Sequence, residues 1–294
     1  MSDNSKIFQS ACLLQFSTSI WQCTKALNPA VLKGKVDIES DWFKGRKFLI
    51  NSDLLGPIHT AVHQARNHIV KNALPFPMQS IYLVPKDRLD VIDDRMKHYK
   101  QRFWDCVDEF IPMYNPAREE ARQVLGDLFN EADYPEDISK KFRFEWRYLV
   151  LGLPGKSSVL TPEIYQREKE KFQLMMEETR ELAVSALCEE FSDVVSHLTE
   201  KLNGNGVKPK TVKSSLFNSL REFLDDLTSR NLFDDAKIKE LSDQARSLID
   251  GINPYQLQYN TQLRNKIHGD MMTLKTTIDE SIMELPRRKM RLAA

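Results

Sequence analysis

Between Thr161-Pro162-Glu163 and Asn203-Gly204-Asn205-Gly206 the chain runs for about forty residues without an internal glycine or proline. A strand of that length is not a globular element, whereas a helix of that length is ordinary, ~60 Å long at 1.5 Å per residue. Thr161 followed by Pro162 and Glu163 is a helix start, and the Asn-Gly repeat is a stop. Phe172, Met176, Ala183, Leu187, Phe191, Val194 and Leu198 recur along the run at helical spacing, forming an apolar seam that needs another helix to cover it. Three further helices are expected near Val212 to Arg230, Asp235 to Asp250 and Asn253 to Leu285, closed by Asn231, Gly251 and Pro286. Residues 156–294 therefore read as a C-terminal helical bundle or an antiparallel, coiled-coil-like hairpin.

Residues 1–155 read as a separate α+β lobe. Leu14, Phe16, Thr18 and Ile20 alternate with polar residues, which makes Ala11 to Gln22 a strand. Lys33 to Arg46 has no period and reads as loop, with room for a short strand at Val36 to Ile38. A helix follows from Ser52 or Pro57 to Asn72, stopped by Leu74-Pro75-Phe76-Pro77, and Ser80 to Val84 is a second strand. Asp87 begins a long helix whose Leu89, Ile92, Met96, Tyr99, Phe103, Cys106 and Phe110 form a second seam. Asn115-Pro116 opens a new helix, to about Glu131, because proline suits a first turn. Phe142 to Tyr148 alternates four aromatics with Arg143, Glu145 and Arg147, the pattern of a strand with one covered face. The fold class is mainly α, with a small antiparallel β-sheet of three strands in the N-terminal half and the lobe boundary near Gly152 to Ser158.

The 10 glycines and 13 prolines are few for 294 residues, which again favours long helices. Forty-two basic residues balance forty-two acidic ones, so no global field draws the chain to nucleic acid or an anionic membrane. The longest apolar runs, such as Tyr148 to Leu151, fall far short of the ~20 residues that span a bilayer. Met1 to Lys6 lacks the basic and apolar regions of a secretory signal, and a cytoplasmic location is expected. Cys12, Cys23, Cys106 and Cys188 are dispersed, as in a protein of reduced thiols with no metal clip.

Four segments could carry chemistry. Gly155-Lys156-Ser157 ends like a phosphate-binding loop, but the pattern requires glycine where Val150 stands and a helix beginning at the lysine. His59 and His63 have zinc-peptidase spacing, yet Thr60 occupies the place of the glutamate base and His68 lies near the opposite face. The aromatics of Phe142 to Tyr148 interleave with basic residues as in an RNA-stacking strand, but alternation sends the two kinds to opposite faces, so core packing is expected. Arg287, Arg288, Lys289 and Arg291 make a basic tail that could touch phosphates or an acidic partner. No cofactor, metal or catalytic residue is assigned, and the chain reads as a non-enzyme.

Ser80-Ile81-Tyr82-Leu83-Val84-Pro85 before a long charged helix, then Tyr114-Asn115-Pro116, then Phe142-Arg143-Phe144-Glu145-Trp146, resembles a bacterial and phage family of unknown function. Members of that family are often encoded beside MoxR-type AAA+ ATPases and proteins with a von Willebrand factor A domain. The resemblance carries no catalytic residue; it implies a partner role in an ATPase-driven remodelling system. The expected function is a scaffold or adaptor that binds a protein partner or a second copy through its long helices, with Met96 and Phe103 in the contacting seam. The alternative is a nucleic-acid binder using the Arg287 to Arg291 tail, Lys208, Lys210 and Lys213, and Lys44, Arg46 and Lys47.

Overall fold

The computed structural model describes residues 7, 9–27, 45–150, 160–203 and 214–284, and structural statements below concern these. The chain is mainly α with a minor sheet, as its composition and periodicity imply. The expected strand at Val36 to Ile38 and the boundary at Gly152 to Ser158 lie outside the described residues.

Strand β1 (Ala11–Ser19) leads to a two-stranded ribbon of β2 (Thr24–Ala26) and β3 (Arg46–Phe48), paired antiparallel with Thr24 opposite Phe48. Helix α1 (Gly56–Asn72) buries Ile58, Ala61, Val62, Ala65 and Ile69 along one face. Strand β4 (Leu74–Pro75) turns into β5 (Ile81–Pro85), with Leu74 opposite Leu83. After helix α2 (Leu89–Leu125) and three 3-10 turns comes strand β6 (Arg143–Leu149). The small antiparallel sheet has the order β4-β5-β1-β6. It thus holds one strand more than the three expected, because Leu74-Pro75 is too short to show a period and is recruited by pairing with β5.

The chain divides into two compact units, one of residues 1–14, 73–89 and 148–294, the other of 15–72 and 90–147. In the second unit Phe103 and Phe144 are fully buried, and ring centroids form a continuous aromatic row. Phe16 lies 4.9 Å from Phe144, Phe103 5.4 Å from Phe144, and Phe110 5.8 Å from Phe142. Alternation along β6 holds in part: Phe144 is buried and Trp146 half-buried, and Arg143, Glu145 and Arg147 are exposed, but the fourth aromatic of the expected covered face, Tyr148, is exposed. Trp146 Nε1 donates to Asp93 Oδ1 at 3.0 Å, giving the indole its polar partner.

The expected break at Asn115-Pro116 does not occur. Helix α2 runs 37 residues through Pro112 and Pro116 to Leu125, six residues short of the Glu131 limit expected for the second helix. Each proline removes one helical N–H, leaving the carbonyls of Asp108 and Pro112 without it. Both prolines are exposed, so water can take up the freed carbonyls while Phe110, Tyr114, Ala117 and Ala121 stay buried on the other face. Gly126, at φ +50°, ends the helix in the left-handed conformation glycine tolerates. The returning segment is clamped by Glu131, which pairs with Arg118 and, at 2.7 Å, with Arg122. Phe129 stacks on Tyr134 at 5.0 Å, with Arg122 4.4 Å above Phe129.

In the first unit, helices α3 (Pro162–Leu202), α4 (Ser214–Arg230), α5 (Ala236–Ile249), α6 (Gln256–Tyr259) and α7 (Thr261–Glu284) share one core. Thr161 caps α3 by accepting from the Ile164 amide, and Asp235 caps α5 by accepting from Lys237 and Ile238. Met176, Ala183, Leu187, Phe191 and Leu198 are buried as the seam requires, chiefly against α7. The single helix expected from Asn253 is two, because Asn260 adopts extended backbone and its Oδ1 accepts from the Leu263 amide, capping α7. Buried Arg264 then donates from Nε to the Leu202 carbonyl at 2.7 Å and from Nη2 to Lys201 at 3.1 Å. A cation at the negative end of α3 satisfies two terminal carbonyls and fixes α7 against it.

Candidate functional site

The last two turns of α2 present Ala117, Glu120, Ala121, Val124 and Leu125, spaced so that they share one helical face. Facing them are Phe48 at the end of β3 and Ile50, Asn51 and Ser52 at the turn into α1. Between them is an open recess of about 440 Å³. Ala117 and Ala121 are buried and small, which leaves the volume; bulkier side chains at these two positions would occupy it.

The opposite wall is positioned by Lys47. Its side chain is 9% exposed, held by Asp133 at 2.8 Å and donating to the Leu128 carbonyl. Alternation along β3 therefore turns Phe48 outward, where it is 60% exposed. Leu49 is buried, its carbonyl accepting from the Tyr134 hydroxyl at 2.8 Å, and Asn51 Oδ1 accepts from the Asp53 amide at 3.0 Å. Val124 on the other rim is 77% exposed. The lining thus sets one carboxylate, one amide and one hydroxyl among apolar carbon, an arrangement suited to binding an apolar group and orienting it at the rim.

Met96 and Phe103 are fully buried inside the second unit, and Phe103 meets Phe142 and Phe144 of the same chain. Within the seam from Leu89 to Phe110, Phe103 and Phe110 meet Phe142 and Phe144, and Tyr99 meets His68 of α1, so a partner helix could reach the buried positions only by opening the core. Sequence reasoning began a new helix at Asn115-Pro116 and so did not join Phe110 and Tyr114 to Ala117, Ala121 and Val124 as one continuous face; the opposite wall, from Phe48 to Ser52, comes from a segment about seventy residues away.

His59 and His63 are exposed on α1, and among the described residues no three histidine, cysteine, aspartate or glutamate side chains group to hold a metal. His68 is half-buried, and burial lowers its imidazole below the usual range. All four thiols are raised by burial, Cys188 to about 11, with Asp235 and Glu189 adding to the effect, so they are poor nucleophiles at neutral pH. Arg46 donates to Thr24 Oγ1 at 2.8 Å, and Lys47 is neutralised by Asp133. Lys44, Gly155-Lys156-Ser157, Lys208, Lys210, Lys213, Arg287, Arg288, Lys289 and Arg291 lie outside the described residues. Among the described residues no helix is long and apolar enough to cross a membrane.

Fold and site together define a mainly α chain with a minor sheet and an open apolar recess at the end of helix α2. Its family is DUF3150, a family of proteins of unknown function, whose model matches residues 8–253; the chain belongs to it. No curated protein and no solved structure matches the chain significantly.

Proposed function

We propose that the protein is a non-enzymatic adaptor that binds a protein partner through the recess at the end of α2, within an AAA+ ATPase remodelling system. The observation that supports this reading is Phe48 and Val124 held outward at the mouth of a recess floored by Ala117 and Ala121. Large apolar side chains grouped around a concavity are characteristic of recognition surfaces, and the volume falls within the roughly 300–1,000 Å³ typical of binding pockets. Apolar anchors spaced along one face of a helix would enter such a recess. The family resemblance in the sequence supplies the partner class, a MoxR-type AAA+ ATPase or a protein with a von Willebrand factor A domain.

The test is light scattering of the purified protein mixed with the ATPase and the von Willebrand factor A protein from its own genome, with and without a non-hydrolysable ATP analogue. A complex is expected, and Phe48→Asp with Val124→Asp should dissolve it while moving stability by no more than about 0.5 kcal/mol per exposed site. Failure to bind either protein in any nucleotide state overturns the reading. Lys47 is largely buried against Asp133 and so is poorly placed to meet a phosphate; salt-sensitive retardation of DNA or RNA lost on removing Arg287 to Arg291 would favour the nucleic-acid reading.

A further inference from the structure

Strand β6 stands last in the sheet order, so one of its long sides has no strand neighbour among the described residues. It is seven residues long, contains no proline and has no residue at positive φ. Most exposed edges are shortened, broken by proline or bulged, because a regular edge is a template for another strand. This one ends in exposed Leu149 and is followed by exposed Val150.

Its outward face carries Arg143, Glu145 and Arg147, all exposed. Arg143 donates to Ser17 Oγ at 3.1 Å, whereas Glu145 and Arg147 have no ion pair among the described residues. Opposed residues of an antiparallel pair share a face, and opposite charges there attract while like charges repel. When two copies of β6 are laid antiparallel about Trp146, Glu145 of each faces Arg147 of the other, and Phe144 faces Tyr148. Moving the centre to Glu145 sets Arg143 against Arg147 and Glu145 against itself, and moving it to Arg147 sets that arginine against itself. Moving the centre to Phe144 pairs Arg143 with Glu145, but it draws on the Arg143 that already donates to Ser17 Oγ and sets Arg147 against Lys141, so the charge pattern favours a second copy of this strand in the Trp146 register.

We infer that β6 is a self-association edge, at which a second copy of this chain pairs antiparallel about Trp146 and continues the sheet across a two-fold axis. The contact uses a different surface from the recess, and it stands whether or not an ATPase binds there.

Sedimentation and light scattering on the full chain test it. Wild type should show twice the 34.2 kDa chain mass. Glu145→Arg and Arg147→Glu each set like charges face to face twice per dimer, and each should raise the dissociation constant about tenfold or more. Mixing the two variants, or combining both changes in one chain, restores opposite charges and should restore the dimer. Because both side chains are exposed, thermal melting of each variant should match that of wild type at concentrations low enough for wild type to be monomeric. Wild type that stays at the monomer mass up to its solubility limit overturns the inference. A dimer of equal strength in both single variants also overturns it, since the contact would lie elsewhere.

Discussion

Phe103 has no exposed surface, and its ring lies 5.4 Å from those of Trp104 and Phe144 and 6.5 Å from that of Phe142. A carboxylate at this position would be buried without a partner, among the costliest changes a core can suffer. Phe103→Asp is therefore expected to cost more than about 4 kcal/mol, seen as loss of cooperative melting and of the near-ultraviolet aromatic signal. A cooperative transition within a degree or two of wild type would show that the aromatic row does not support the second unit. A residue whose only role was to contact a partner would leave the isolated protein's melting unchanged, whereas here the damage should appear in the absence of any partner.

At the scale of elements, α2 tolerates two prolines because both fall on its exposed side. Replacing Pro112 by alanine restores a donor to the Asp108 carbonyl and removes the ring clash, so the urea midpoint should rise by the equivalent of about 1–3 kcal/mol. A fall would mean that the altered helix path is itself required for packing. Between α3 and α7, Ser192 Oγ donates to Asp279 Oδ1 at 2.6 Å and Lys275 pairs with Asp279 Oδ2. Lys275 and then Ser192 hold the Asp279 carboxyl below the usual carboxylate range. With the folded value lower than the unfolded one, the contribution is complete above the ordinary carboxylate range and is lost as pH falls through it and beyond. Asp279 is 43% exposed, so Asp279→Asn should flatten the acid limb of the stability curve by no more than about 1 kcal/mol. Urea midpoints of both proteins compared between about pH 3 and pH 7 decide it; a constant offset would assign the effect to packing.

For the whole molecule, the departure of Val150 from the phosphate-loop pattern predicts that magnesium with ATP or GTP leaves the melting temperature unchanged. A real site filled at ~100 times its dissociation constant would add ~2.7 kcal/mol, and a shift lost in Lys156→Ala would establish one. Contacts gather residues 1–14 and 73–89 with 148–294 into one unit, a discontinuous division beside the single boundary read near residue 155. What the sequence by itself determined is what short-range chemistry decides. Thr161 and Asn203 mark the ends of α3, Asp235 caps α5, and the alternation of Phe144, Glu145 and Trp146 makes β6 a strand, because caps, breakers and periods act within a few residues. Tertiary structure alone decided that Pro116 continues a helix, since which face meets water is a property of packing. It decided that Phe103 meets this chain's own sheet, since a seam specifies an apolar cover without naming it. And it made the recess, whose walls lie about seventy residues apart and whose floor is two alanines, the side chains that carry the weakest apolar signal and leave the most space.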